Sequence, residues 1–167
     1  CWDRRLVAKL EQLGWPALMV QRYVDDLNAL LTALRPGTRY NLEEDRLEVV
    51  EELVEQDRGR EKDELAMAVF QEIANSVDPA ITVEVDYPSR HPSGMMPILD
   101  MQTFVDNDNK VQYKFYRKPM CNKYTMMANS AVSERVKRSS MTNEAMRRLL
   151  CCSPGLEEVQ RVEVMEE

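Results

Sequence analysis

Two carboxylates stand side by side, Asp25 and Asp26, inside an otherwise apolar run, with Leu18-Met19-Val20 before them and Leu27 and Ala29-Leu30-Leu31 after. Adjacent carboxylates repel, and burying either without a partner is costly. A chain that keeps both in such a run either turns them to water or uses them to hold a cation. The second solution makes Tyr23-Val24-Asp25-Asp26 a candidate metal site for phosphoryl transfer.

Two local structures fit these residues. Val20, Tyr23, Val24, Leu27, Leu30, Leu31 and Leu34 recur at helical spacing, which makes the Asp pair the solvated side of an amphipathic helix. The other is a β-hairpin, with one strand ending near Tyr23-Val24, a tight turn carrying Asp25-Asp26, and a second strand from Leu27 to Leu34. Asp suits a turn because its side chain bonds its own backbone. Periodicity alone favours the helix.

A chain of 167 residues with 44% hydrophobic residues can build a real core. The cysteines Cys1, Cys121, Cys151 and Cys152 show no CxxC spacing, which argues against a disulfide framework and for a reducing, intracellular compartment, nucleus or cytoplasm. His91 is the only histidine, which argues against zinc. No apolar run approaches membrane-spanning length, and Cys-Trp-Asp-Arg-Arg is no signal peptide, so no membrane partner is expected. The first residue is not Met, and the chain reads as a piece of something longer.

The net charge of -7 is unevenly spread. Fifteen acidic residues face four basic ones between Glu43 and Asp86, while ten basic face two acidic between Lys110 and Leu150. The second stretch holds Lys110, Lys114, Arg117, Lys118, Lys123, Arg135, Lys137, Arg138, Arg147 and Arg148, with Tyr113, Phe115, Tyr116 and Tyr124 interleaved. That is the make-up of a phosphate-binding surface. A merely solvated face is the competing reading.

Punctuation and period order the elements. Asp3 to Leu13 predicts a helix stopped by Gly14 and Pro16, and Arg35-Pro36-Gly37 a turn. Asn41 with Glu44 three residues on suggests a capped helix facing Leu47, Val50 and Val54 inward, and Lys62 to Ser76 a second helix. Ile81 to Tyr87 alternates as a half-buried strand. Pro97–Val105 and Lys110–Arg117 read as a hairpin around Asp106-Asn107-Asp108-Asn109. Beyond Pro119 the pattern turns helical, weakly over Ser130–Lys137, then over Thr142–Cys152; Ser153-Pro154-Gly155 precedes a last acidic helix. The class is α+β.

With these elements in this order, Tyr23-Val24-Asp25-Asp26 resembles the YxDD hairpin of reverse transcriptases. Met96-Pro97-Ile98-Leu99-Asp100 and Phe115-Tyr116-Arg117-Lys118-Pro119 resemble the "PxLD … YRKP" pairing of mobile-element reverse transcriptases, especially the Penelope-like group and related animal elements. The resemblance spans nearly the whole chain, and for residues 18–34 it replaces the helix that periodicity favours. It implies a hairpin with the Asp pair at its tip, pairing in a sheet with the Ile81–Tyr87 strand or its neighbours. It also implies a partial palm over 1–119, with a primer-grip-like hairpin, and the start of a helical thumb over 120–167.

The chemistry implied by the resemblance is nucleotidyl transfer, with Mg²⁺, or Mn²⁺ in its place, activating a primer 3′ hydroxyl and stabilising the leaving pyrophosphate. Hard Mg²⁺ takes carboxylate oxygens, and a turn tip offers them without burying bare charge. Asp25 is then the main ligand, with Asp26 a weaker ligand or electrostatic support. Tyr23 and Val24 pack beside the primer end. Leu99, Asp100, Tyr116, Arg117 and Lys118 position the primer strand, while Lys123, Arg135, Lys137 and Arg138 hold duplex phosphates. The partners implied are an RNA template, a DNA primer and deoxynucleotides.

The chain also departs from that pattern. Only twenty-two residues precede Tyr23, and they read as a helix, so the third palm carboxylate and the nucleotide-holding fingers are not among them. Leu99-Asp100 stands where many retroelements carry Leu-Gly. The expectation is a fragment inactive by itself. The alternative class is a non-catalytic helical interaction module, and the conformation of Tyr23 to Leu27 separates the two.

Overall fold

Leu6 and Leu10 lie one turn apart on helix α1 (Trp2–Gln12), and both are fully buried. Gly14, at φ +73, turns the chain out of the helix and brings Trp15 back into the core. The facing surface belongs to helix α3 (Lys62–Val77), whose Leu65, Ala66, Val69, Phe70, Ile73 and Ala74 are buried at the 3–4 spacing of one helical stripe. Each large side chain so buried stabilises by roughly 1.5–3 kcal/mol. The computed structural model describes residues 1–118 and 129–166. Its class is α+β, and the chain divides into two compact units, Cys1–Pro92 and Ser93–Glu167.

In the first unit, residues 18–34 form a hairpin. Strands β1 (Met19–Tyr23) and β2 (Asp26–Leu30) pair antiparallel from Met19↔Leu30 to Tyr23↔Asp26. The helical reading of this stretch is not what forms; Leu27 and Ala29 of β2, with Leu31 and Leu34 beyond it, pack against the α1–α3 core without a helix. The second strand ends at Leu30 rather than Leu34, and the Trp15 indole donates to the Thr32 carbonyl (3.0 Å) and hydroxyl (3.2 Å) just beyond it.

Two expectations fail here for identifiable reasons. The Asn41–Glu44 signal does not open a helix; it lies in the turn between β3 (Thr38–Asn41) and β4 (Arg46–Val49). Asn41 Oδ1 accepts from the backbone N–H groups of Glu43 and Glu44, each at 3.1 Å, so the capping chemistry closes the turn instead. Helix α2 begins later, at Glu51, and runs to Asp57. Ile81–Tyr87 joins no sheet, and the β1–β2 hairpin therefore stands as a two-stranded sheet. The alternation survives, with Val83, Val85 and Tyr87 half-buried. Its partner is α3: Gln71 Nε2 donates to the Val83 carbonyl (2.7 Å) and the Val83 N–H donates to Asn75 Oδ1 (2.7 Å).

The second unit is a meander of β5 (Met96–Ile98), β6 (Met101–Val105) and β7 (Val111–Phe115), with helices α4 (Glu134–Leu150) and α5 (Glu157–Glu166). The run predicted as one strand from Pro97 to Val105 is broken by a two-residue turn at Leu99-Asp100. The two helical stretches expected after Pro119 merge into the single α4. Ser153 and Gln160 cover the outer edge of β7. The Tyr113 N–H donates to Ser153 Oγ (2.9 Å), the Ser153 N–H to the Tyr113 carbonyl (2.8 Å), and the Phe115 N–H to Gln160 Oε1 (2.8 Å). A sheet edge that would otherwise be open is thereby closed by two side chains and one backbone N–H.

One buried charge locks the first unit. Asp57, 2% exposed, accepts from the Gly37 N–H (2.9 Å), from both terminal nitrogens of Arg39 (2.9 and 3.1 Å) and from Arg60 (3.4 Å). Gly37 sits at φ +82, where a Cβ would fall 2.6 Å from Val54 Cγ2 and 2.9 Å from the Val50 carbonyl oxygen. The Arg39 guanidinium, with the Gly37 N–H and Arg60 behind it, outweighs burial and holds the Asp57 carboxyl at about 2. A depressed folded pKa means that this stabilisation is complete above the ordinary value of 3.8 and is lost as pH falls toward 2. Asp57→Ala is expected to cost on the order of 3 kcal/mol at neutral pH in urea unfolding, with the gap to wild type closing through that acid range. A neutral-pH cost under about 1 kcal/mol would mean that the pair behaves as a solvated surface bridge.

Candidate functional site

The tip of the β1–β2 hairpin is a two-residue turn, Val24-Asp25, closed by the Tyr23↔Asp26 pair. Val24 alone of the two has positive φ (+56), the sign pattern of a II′ turn, which favours glycine at its first position. A β-branched residue there is strained by roughly 1–2 kcal/mol. Local turn preference therefore does not explain this sequence. Val24 is also 75% exposed and Tyr23 55%, so neither is held there by packing.

Asp25 and Asp26 are both exposed, and among the described residues no hydrogen bond or ion pair engages either carboxylate. Asp25 is a turn residue and Asp26 opens β2, so the two side chains leave consecutive backbone positions. Both are hard oxygen donors free of internal partners, which fits Mg²⁺ or Mn²⁺. Among the described residues no group of three or more Asp, Glu, His or Cys side chains is placed to share a metal ion.

Arg22 braces the tip from the side. Its Nε donates to the Val24 carbonyl (2.7 Å) and its Nη1 to Asp3 Oδ1 (2.9 Å), tying the strained residue to the first turn of α1. The same residues flank an open groove of about 310 Å³ between α1 and the hairpin, floored by Val7, Ala8, Val20 and Leu27. The sequence gives no sign of the Asp3–Arg22 brace, because a pair nineteen positions apart leaves no local signature.

The remaining predicted residues lie in the second unit. Leu99 repeats the motif of Val24: it is the first residue of a two-residue turn, at φ +55, followed by an aspartate. Here the carboxylate is engaged, since Asp100 Oδ2 pairs with Arg147 Nη1 of α4. The Tyr116 N–H donates to the Asp100 carbonyl at 2.8 Å, which places Tyr116 beside this turn, with Arg117 and Lys118 following it in the chain. Arg147 and Arg148 lie over the Phe115 ring, at 5.4 and 5.7 Å from its centroid. Both also bind Glu144, and Arg147 first, then Arg148, hold its carboxyl at about 2 against burial.

The basic stretch is thus partly consumed internally. Lys114 pairs with Glu163 (2.6 Å) and Lys137 with Glu134 (3.2 Å). Lys118, Arg135 and Arg138 are exposed, with no ion pair among the described residues. Lys123, with Tyr124, lies outside the described residues. No described helix is long and apolar enough to cross a membrane.

No family model matches the chain, and neither a curated protein nor a solved structure matches it. The geometry therefore stands by itself.

Stability separates a structural role from a functional one at the tip. Asp25→Asn and Asp26→Asn are each expected to change unfolding free energy by no more than about 0.5 kcal/mol, as for exposed side chains without partners. Val24→Gly is expected to raise it by roughly 0.5–1 kcal/mol, because relief of the left-handed strain exceeds the entropy of glycine. Urea unfolding followed by circular dichroism reads all three. Destabilisation by both Asn variants would make the carboxylates part of the fold.

Proposed function

We propose that this chain is part of an RNA-directed DNA polymerase of a mobile element, similar to those of Penelope-like elements. In this reading Asp25 and Asp26 are its metal-binding carboxylates. The supporting observation is the β1–β2 hairpin, which presents two adjacent, unpartnered carboxylates at a turn whose conformation its own sequence disfavours. Strain kept at an exposed tip is characteristic of functional positions. Bound there, a divalent cation supplies Lewis-acid activation and charge neutralisation for nucleotidyl transfer.

The chain's own residues hold and position. Asp25 serves as the principal ligand and Asp26 supports it, while Tyr23 and Val24 offer exposed apolar surface beside the primer terminus. Arg22 fixes the tip through the Val24 carbonyl. In the second unit the Leu99-Asp100 turn with Tyr116, Arg117 and Lys118 forms the primer-grip-like element, and α4 presents Arg135 and Arg138 to duplex phosphates. The isolated chain is inactive in this reading, because its described residues bring only two carboxylates to the tip.

Primer extension on an RNA template with a DNA primer tests the proposal. The isolated chain is expected to extend nothing with Mg²⁺ or Mn²⁺. In a polymerase that contains this segment, Asp25→Asn is expected to reduce extension to background with the fold intact. Undiminished extension by the Asp25→Asn/Asp26→Asn double variant would remove these carboxylates from the catalytic centre.

A further inference from the structure

The middle of α4 carries a serine pair, Ser139-Ser140, behind three cations, Arg135, Lys137 and Arg138. No acidic residue lies between Glu134 and Glu144. No residue of α4 is buried, and its centre is built from Ser139, Ser140, Thr142 and Asn143, all weak helix formers. Opening this stretch exposes no buried residue, though it gives up the Lys137–Glu134 pair, and that absence of a core contact places it toward the low-stability end of the fold. A modifying enzyme that requires extended backbone can therefore reach it in the folded protein.

We propose that Ser140 is a phosphorylation site for a protein kinase with an acidic substrate groove, and that the phosphate takes Lys137 out of the anion-binding face of α4. Ser140 has cations two, three and five residues before it, at Arg138, Lys137 and Arg135, so an open segment lays positive charge along such a groove. Ser139 is more exposed, but its nearest cations stand one and two residues away. In the reaction the γ-phosphoryl group of ATP passes to Ser140 Oγ, the hydroxyl proton goes to the kinase's base, and ADP leaves.

Once the helix re-forms, the phosphate lies one turn from Lys137 on one side and Glu144 on the other. It draws on Lys137, already partnered by Glu134, and adds repulsion beside Glu144. The charge of the stretch from Lys110 to Leu150, ten basic against two acidic residues or +8, falls to about +6. The switching half of the proposal rests on the reading of α4 as a phosphate-binding surface; the modification itself does not.

The test treats the native full chain with Mg²⁺-ATP and a kinase that selects Arg or Lys two and three residues before serine, with an acid-directed kinase in parallel. The expected result is one phosphoryl group from the first kinase alone, mapped by mass spectrometry to Ser140, lost in Ser140→Ala and kept in Ser139→Ala. No transfer to native chain, transfer only after unfolding in urea, or phosphate mapped elsewhere would overturn the site. Anisotropy of a primer–template duplex across a salt series reads the switch separately. Phosphorylation is expected to lower the log–log slope by roughly one, the contact of Lys137. An unchanged slope, or an unmodified chain that binds no duplex at low salt, would overturn the switch, and the mass reading would still decide the site.

Discussion

The buried stripe of α3 is the constraint on which the first unit depends. An isolated two-stranded hairpin is marginal in water, and this unit contains two of them, β1–β2 and β3–β4. Each is held because apolar residues on one side, Leu27 and Ala29 in the first and Tyr40 and Leu47 in the second, pack against the cluster that α1 and α3 build. The Trp15 indole fixes the far end of the first hairpin, and Asp57 with Gly37 fixes the entry to the second. The tip carrying Asp25 and Asp26 is therefore the exposed end of a strand pair whose base is secured.

That arrangement explains how the chain tolerates strain at Val24. A left-handed valine would shift the register of a free hairpin toward a better turn. Here a one-residue slip would turn Leu27 and Ala29 away from the core, so register is set from the base rather than from the turn. Arg22 adds a local brace through the Val24 carbonyl and Asp3. The turn sequence is released from its usual duty of specifying the hairpin, and an exposed Tyr-Val-Asp-Asp becomes tolerable.

Helices α1 and α3 and the hairpin around Asp106–Asn109 were legible in the sequence, because each couples a clear period to a recognised stop or turn. Residues 18–34 were legible only through the motif. Their apolar residues satisfy a helical period and a hairpin equally, and tertiary contact with α3 decides. Asn41 misled because an Asx turn and a helix cap use the same side-chain chemistry. Ile81–Tyr87 misled because alternation reports one buried face and not where the backbone bonds go; Val83 and Val85 pack on the core, while the Val83 backbone pairs with the side-chain amides of Gln71 and Asn75 rather than with a strand. At the candidate site, Asp25 and Asp26 could be named from sequence. The internal pairing of Arg147 with Asp100 and of Lys114 with Glu163 could not, since both partners are distant along the chain.

The central claim is that the two tip carboxylates, and not the more numerous acids of α2 and α3, form the cation site. Amide line broadening on Mn²⁺ titration of the ¹⁵N-labelled chain tests it most directly, because paramagnetic relaxation reports where the ion resides. The account predicts broadening that begins at Val24 to Leu27 and disappears in Asp25→Asn/Asp26→Asn. Broadening centred on Glu51, Glu52 and Glu55, or unchanged in the double variant, would contradict it.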